Sequence, residues 1–254
     1  KTMEKLSTGY RINKAGDDAA GLAVSTKLTA QIRGTNQAAR NVSDAIALVQ
    51  TADGAAKEIS AIMQRMRELA VQGATETYST ADLALMDIEY QQLESEITRI
   101  VAQTKWNKME LLDGSGGSGG AGAFIIQVGS DNAQAVTVSI GNLDIAAGSL
   151  GCLSGLDVST QSNASSAITN IDGAFQALAT IRADYGSYMN RLENTLNNAE
   201  VFSANMSDAN SRLMDTDYAK EMTEFAKSQI VRQAGMAMLS QANAIPNQVL
   251  QLLQ

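Results

Sequence analysis

The chain has 254 residues, a net charge of -8, no histidine, one cysteine and 4% aromatic residues. That length suits one large or two modest domains, and the acidity excludes a phosphate-tracking nucleic-acid binder, which needs clustered Lys and Arg. A core built from Ala, Leu, Ile, Val and Met suits long, thin helical packing, so the expected fold class is mainly α: an elongated, coiled-coil-like helical bundle.

From Asp18 to Gly73 apolar residues recur every three or four positions, through Val24, Leu28, Ile32, Val42, Ile46, Val49, Ile59, Met63, Met66 and Ala70. This is the helical period, sustained well beyond an average helix. Gly34 weakens it by about 1 kcal/mol without ending the pattern, so one rod or two abutting helices both fit. Within it, "MQRMRELAVQ" (Met63 to Gln72) sets Met63, Met66 and Ala70 on an apolar stripe and crowds Arg65, Arg67 and Glu68 on the other side. That polar side is either solvated surface or a binding surface.

"STAD" at Ser79 to Asp82 predicts a capping box, and Leu83, Met86, Tyr90, Leu93, Ile97 and Ile100 then form a coiled-coil seam. "DGSGGSGGAGA", 113–123, reads as a flexible linker, and alternation around a Gly-Ser-Asp-Asn turn predicts a β-hairpin over 124–140, with strands Phe124 to Val128 and Val136 to Ile140. An isolated hairpin is marginal, so it is expected to lie on the helices. After a polar, Ser-rich stretch from Ser154 to Ser166 the helical period returns from Ile168 to Leu213.

Beyond "DTDYAKEM" a second amphipathic block carries Met222, Phe225, Ile230, Leu239, Leu250 and Leu253, with Pro246 expected to kink or break it near its end. Its apolar face has no partner left in the chain, which points to assembly. Its order is expected to depend on that partner.

The chemistry-bearing groups are sparse. Without histidine, triads and most zinc sites lose their usual members; the paired carboxylates Asp17 with Asp18 suit a helix start. The Gly-rich tract lacks the Gly-Lys-Ser/Thr ending of a phosphate cradle, and the lone Cys152 excludes an internal disulfide framework. No catalytic residue, cofactor or metal is expected. The longest apolar runs fall short of the roughly 20 residues of a bilayer span.

"LSTGYRINKAGDDAAGLAVSTKL" (Leu6 to Leu28), "MQRMRELAVQ", "DTDYAKEM" (Asp215 to Met222) and "QANAIPNQVLQLL" (Gln241 to Leu253) closely resemble the terminal signatures of bacterial flagellin, in the right order over nearly the whole chain. The resemblance implies a subunit that is exported through the flagellar type III apparatus and polymerises outside the cell into the filament, for swimming. It implies a rod domain over 1–214 and, over 215–254, the C-terminal helical segment of an inner-tube domain whose N-terminal partner, some two dozen residues in the family, would precede Lys1. Variable outer domains, inserted near 157–163 in many flagellins, are not seen. The implied partners are other copies of the chain, an export chaperone, the filament cap and the hook–filament junction proteins, with neither nucleic acid nor membrane. The polymerisation residues would be Met222, Phe225, Ile230, Leu239, Leu250 and Leu253. The family's contacts with the vertebrate flagellin-sensing Toll-like receptor map onto Arg65, Leu69 and Glu89, with Arg65 and Leu69 expected to be neighbours on the helix surface turned from the Met stripe. A hook–filament junction protein shares terminal motifs, but "MQRMRELAVQ" with the hairpin favours flagellin. A type III secretion translocator would need a long apolar hairpin that is missing.

Overall fold

The computed structural model describes the backbone of residues 1–117, 120, 122–146 and 148–252, with side chains as far as residue 242. Five helices carry most of the chain: α1 Thr2–Thr8, α2 Ala19–Gly73, α3 Thr80–Gln103, α4 Gln161–Met214 and α5 Tyr218–Leu252. Between α3 and α4 lie two small antiparallel hairpins, β1 Lys105–Trp106 with β2 Met109–Glu110, and β3 Ala123–Gln127 with β4 Ala135–Ser139. The chain is mainly α, as its periodicity predicts. It divides into two compact units, Gly34–Val201 and Lys1–Arg33 with Phe202–Gln254. Residues 1–33 and 202–214 thus group with the C-terminal helix, where the sequence suggested a single boundary after residue 214.

In the Gly34–Val201 unit the core is one continuous cluster. α2 contributes Val42, Val49, Ile59, Met63 and Met66, α3 contributes Tyr90 and Ile97, and α4 contributes Ile171, Leu178, Tyr185 and Leu192. Leu111, Leu143, Leu150 and Leu153 close it from the connecting segments. Burial raises the hydroxyl pKa of both Tyr90 and Tyr185, so the phenols stay neutral. α3 starts with the expected capping box: the Asp82 N–H donates to Ser79 Oγ at 3.3 Å while the Asp82 carboxylate accepts from the Ser79 N–H at 3.1 Å.

α4 begins at Gln161, seven residues before the first residue of the expected stripe. Buried Ala164 and Ala167 extend the stripe backwards at helical spacing, and the Thr160 hydroxyl accepts from the Asn163 N–H at 3.2 Å. Alanine hides the signal in an otherwise polar stretch, because it is apolar without being conspicuous.

The β3–β4 hairpin sits one residue earlier than expected in each strand, with Phe124 opposite Val138 and Ile126 opposite Val136. Phe124, Val136 and Val138 are buried and Ile125 faces out, which is the period-two alternation of a half-buried strand pair. The Asn41 amide of α2 donates to the Gln127 carbonyl at 3.3 Å. Gly34 is explained by the same hairpin, since a Cβ there would stand 2.9 Å from Ser130 Cβ. Strands β1 and β2 went unforeseen. Their turn residues Asn107 and Lys108 both take positive φ, the two-residue hairpin geometry for which Asn-Gly, not Asn-Lys, is the usual signal.

Two glycines of 113–123 are not free linker positions. Gly116 would place a Cβ 2.1 Å from the Glu110 carbonyl oxygen, and Gly122, at φ +65°, would place one 2.5 Å from that of Ile140. At Gly116 and Gly122 backbone crosses backbone closely, and glycine is there because no side chain fits. Gly122→Ala should therefore destabilise this unit by about 1–3 kcal/mol, read as a lower midpoint in urea with an unchanged slope.

Acid should weaken the same unit modestly. The Arg67 guanidinium holds the Asp172 carboxyl below its ordinary value of 3.8, and Ser79 does the same for Asp82. A carboxylate depressed in the folded state contributes stability that is whole above the unfolded value and is lost as pH falls through the folded one. Thermal melts should stay flat between about pH 7 and 5 and drop below about pH 4.

In the other unit, α1 ends at Gly9, whose φ of +76° closes the helix in the left-handed region. The chain then pairs Tyr10 with Asp215, and the Arg11 N–H donates to the Met214 carbonyl at 2.6 Å. The Arg11 guanidinium reaches the Leu213 carbonyl at 2.7 Å, so one residue satisfies two of the carbonyls left free at the end of α4. Asp18 accepts from the Gly21 N–H at 2.9 Å and starts α2, as the paired carboxylates suggested. Buried Ser25 donates to Asn210 at 2.7 Å, joining α2 to α4 in this unit.

Candidate functional site: two exposed surfaces

The first surface lies on α2 within the Gly34–Val201 unit. At 100° per residue, Arg65 and Arg67 point to opposite flanks of the helix. Arg65 Nε donates to Glu89 of α3 at 2.8 Å, and Arg67 Nε donates to Asp172 of α4 at 2.7 Å. Glu68 joins the first pair, with Arg65 Nη1 at 3.2 Å from its carboxylate. Glu89, and after it Glu68, raise the Arg65 pKa, and Asp172 raises that of Arg67. All these side chains are about half exposed or more, so solvent screens each pair and it adds little to stability. Their effect is positional: two planar guanidinium groups are held in place on either side of a solvent-facing strip.

Along that strip runs an open groove of about 680 Å³ lined by Gln64, Arg67, Glu68, Val71, Gln72 and Tyr78, among others. Val71 is 48% exposed and Tyr78 40%, and Tyr78 is held by the Gln72 amide, which donates to its hydroxyl at 3.1 Å. Two further apolar side chains of α3, Leu85 and Ile88, are exposed.

Leu69 is not on this surface. It is 2% exposed and belongs to the core, contrary to the expectation that it neighbours Arg65 on the outside. The reason is geometric: Leu69 lies about 60° round the helix from Met66, and α2 packs against both α3 and α4, so its buried arc is wider than one stripe. Arg65 and Glu89 are where they were expected, and the apolar member of the surface is Val71 with Tyr78. Exposed valine and tyrosine at groove positions were not legible, because periodicity alone assigns apolar residues to the core.

The second surface is α5. Met222, Ile230 and Leu239 are exposed and Phe225 is half-buried, while Leu250 has its side chain outside the described residues and Leu253 lies outside them altogether. Beyond Ile230 the helix is not amphipathic in the expected sense. Ile230, Val231, Met236, Met238 and Leu239 are between 62% and 73% exposed, yet at 100° per residue Ile230 and Val231 already differ by about 100° and Met236 and Met238 by about 200°. Apolar side chains therefore face outwards on every side. Such a helix belongs in the interior of a larger packed body. α5 also runs through Pro246 to Leu252, so of the expected kink or break the break does not occur.

Comparison with known proteins decides the family. Residues 1–116 match the bacterial flagellin N-terminal helical region and residues 168–253 match the bacterial flagellin C-terminal helical region. The chain belongs to the bacterial flagellins. It is similar to a flagellin of Halalkalibacterium halodurans, 46% identical over all of this chain and 91% of that protein. It is also similar to a flagellar filament 31.3 kDa core protein of Treponema maltophilum, 40% identical over all of this chain and 92% of that one. Among solved structures, the flagellin of Bacillus cereus superposes with a TM-score of 0.55 at 33% identity, covering 63% of this chain and 88% of that one. Among the described residues no three His, Cys, Asp or Glu are grouped to hold a metal ion, and no helix is long and apolar enough to cross a membrane.

Proposed function

We propose that this flagellin is a structural subunit of the bacterial flagellar filament and that α5 is its principal assembly element. The observation that carries this is the exposure of apolar side chains on every side of α5, which a single partner helix would not cover. Several neighbours can, and identical copies repeating one non-closing contact make a helical filament. Export to the cell exterior, and contacts with an export chaperone, the filament cap and the hook–filament junction proteins, belong to the same reading. Electron microscopy of the full-length protein seeded with filament fragments tests it. Elongated filaments are expected; a protein that stays monomeric beside competent seeds would sink the proposal.

A second reading concerns the α2 surface, where Arg65 and Glu89 are held half exposed on the flank beyond Glu68, which with Val71 and Tyr78 lines the groove. We propose that the free monomer presents this strip to the vertebrate flagellin-sensing Toll-like receptor, without Leu69 as a contact. Arginine and tyrosine anchors of this kind dominate interfaces once desolvated. Arg65→Ala should weaken monomer binding by about 2 kcal/mol in titration calorimetry, with helical content unchanged. Equal receptor signalling by wild type and an Arg65→Ala/Glu89→Ala variant would leave this strip with no receptor role.

A further inference from the structure

Eleven methionines are distributed unequally between core and solvent. Met63 and Met66 are fully buried under α2, while Met222, Met236 and Met238 are 54%, 68% and 73% exposed on α5. The thioethers of α5 are thus open to solvent in the monomer, on the helix read above as the assembly element. Elsewhere only Met3 and Met109 are comparably exposed among the described residues.

We infer that Met222, Met236 and Met238 form a peroxide-sensitive modification site that turns the α5 assembly face off. The inference rests on the reading of α5 given under Proposed function. The chemistry needs one molecule of a hydroperoxide per side chain. The sulfur lone pair attacks one peroxide oxygen, the O–O bond breaks, a sulfur–oxygen bond forms, and with hydrogen peroxide the second oxygen leaves as water. The thioether is oxidised by two electrons and the peroxide is reduced by two.

The consequence follows from polarity. A methionine side chain is apolar and adaptable and fills irregular gaps in a packed interior. Its sulfoxide is polar and carries a strong acceptor, so covering it without a donor is unfavourable. Met222 and Met236 lie within about 40° of each other round α5 and Met238 lies about 160° from Met236, so an oxidised chain would present polar oxygen to more than one neighbour. Assembly would be self-protecting: thioethers covered in a filament no longer meet peroxide, whereas those of the free monomer do. Methionine sulfoxide is reducible enzymatically, which makes the site reversible.

The experiment uses the full-length monomer, preformed filaments and a Met222→Leu/Met236→Leu/Met238→Leu variant, all treated with dilute hydrogen peroxide and followed by peptide mass spectrometry and seeded elongation. Leucine conserves volume and apolarity, and the variant keeps Met3 and Met109 as internal controls. In the monomer the three α5 thioethers should oxidise roughly tenfold or more faster than Met63 and Met66. Oxidised wild-type monomer should need a roughly tenfold or higher concentration to elongate seeds, the treated variant should elongate like untreated protein, and a methionine sulfoxide reductase should restore the wild type. Oxidation no faster than at Met63 and Met66, or undiminished elongation after oxidation at these positions, overturns the inference. Failure of the untreated protein to elongate seeds is a separate result that overturns the assembly reading, and the peptide map then still decides whether these residues are the labile set.

Discussion

Leu69→Ala is expected to destabilise the Gly34–Val201 unit by about 2–5 kcal/mol, the cost of removing a fully packed leucine and leaving a cavity between helices. Leu69 is 2% exposed and part of the continuous core, so little solvent can reach the space its side chain vacates. Arg65→Ala, one turn earlier, should leave stability close to the wild-type value, because its ion pairs are half exposed and screened by solvent. Urea titrations of the two variants check both expectations. A near-neutral Leu69→Ala would mean that Leu69 is not held in the core, and the surface grouping of Arg65 with Leu69 would have to be restored. The contrast also bears on receptor assays: lost signalling in a Leu69 variant is expected to reflect loss of the folded unit, whereas lost signalling in an Arg65 variant is not.

Replacing Ile230 and Leu239 together by Asp should abolish filament formation. Both side chains are more than 60% exposed in the monomer, so carboxylates there are solvated and cost little before assembly. On assembly each would be buried without a partner, a penalty of several kcal/mol per charge, and the critical concentration should rise by roughly a hundredfold or more. Sedimentation of seeded reactions measures this. Neither residue belongs to the Gly34–Val201 unit, so its melting by circular dichroism should stay at the wild-type value. Filaments forming at wild-type concentrations would show that this face is not covered on assembly. Hydrogen exchange offers an independent reading: the amides of α5 beyond Met222 should gain protection on going from monomer to filament. Equal, strong protection in both would show that α5 needs no neighbour.

The sequence by itself determined the kind of structure and where its long elements lie. Period places the ends of α2 almost to the residue, because apolar residues recur at three- and four-residue spacing over 55 positions, while the structure decides that it is one helix and not two abutting at Gly34. The capping box at Ser79 and Asp82 and the hairpin around residues 124–140 were legible for the same reason: each rests on chemistry local to a few residues. The terminal motifs carried the family.

Only the tertiary structure decided which residues near the edge of a stripe face inwards. Leu69 is buried because α2 meets helices on two flanks, and one helix's periodicity does not report how many neighbours it has. Val71 and Tyr78 stay exposed because the groove beside them is left open. The glycines of 113–123 have the composition of a flexible linker, yet Gly116 and Gly122 are set by carbonyl oxygens of residues brought close by folding. For α5 the sequence showed an apolar block and the structure showed that it faces outwards on every side, since a hydrophobic residue declares a preference for burial but only the arrangement of the surrounding chain determines whether anything covers it.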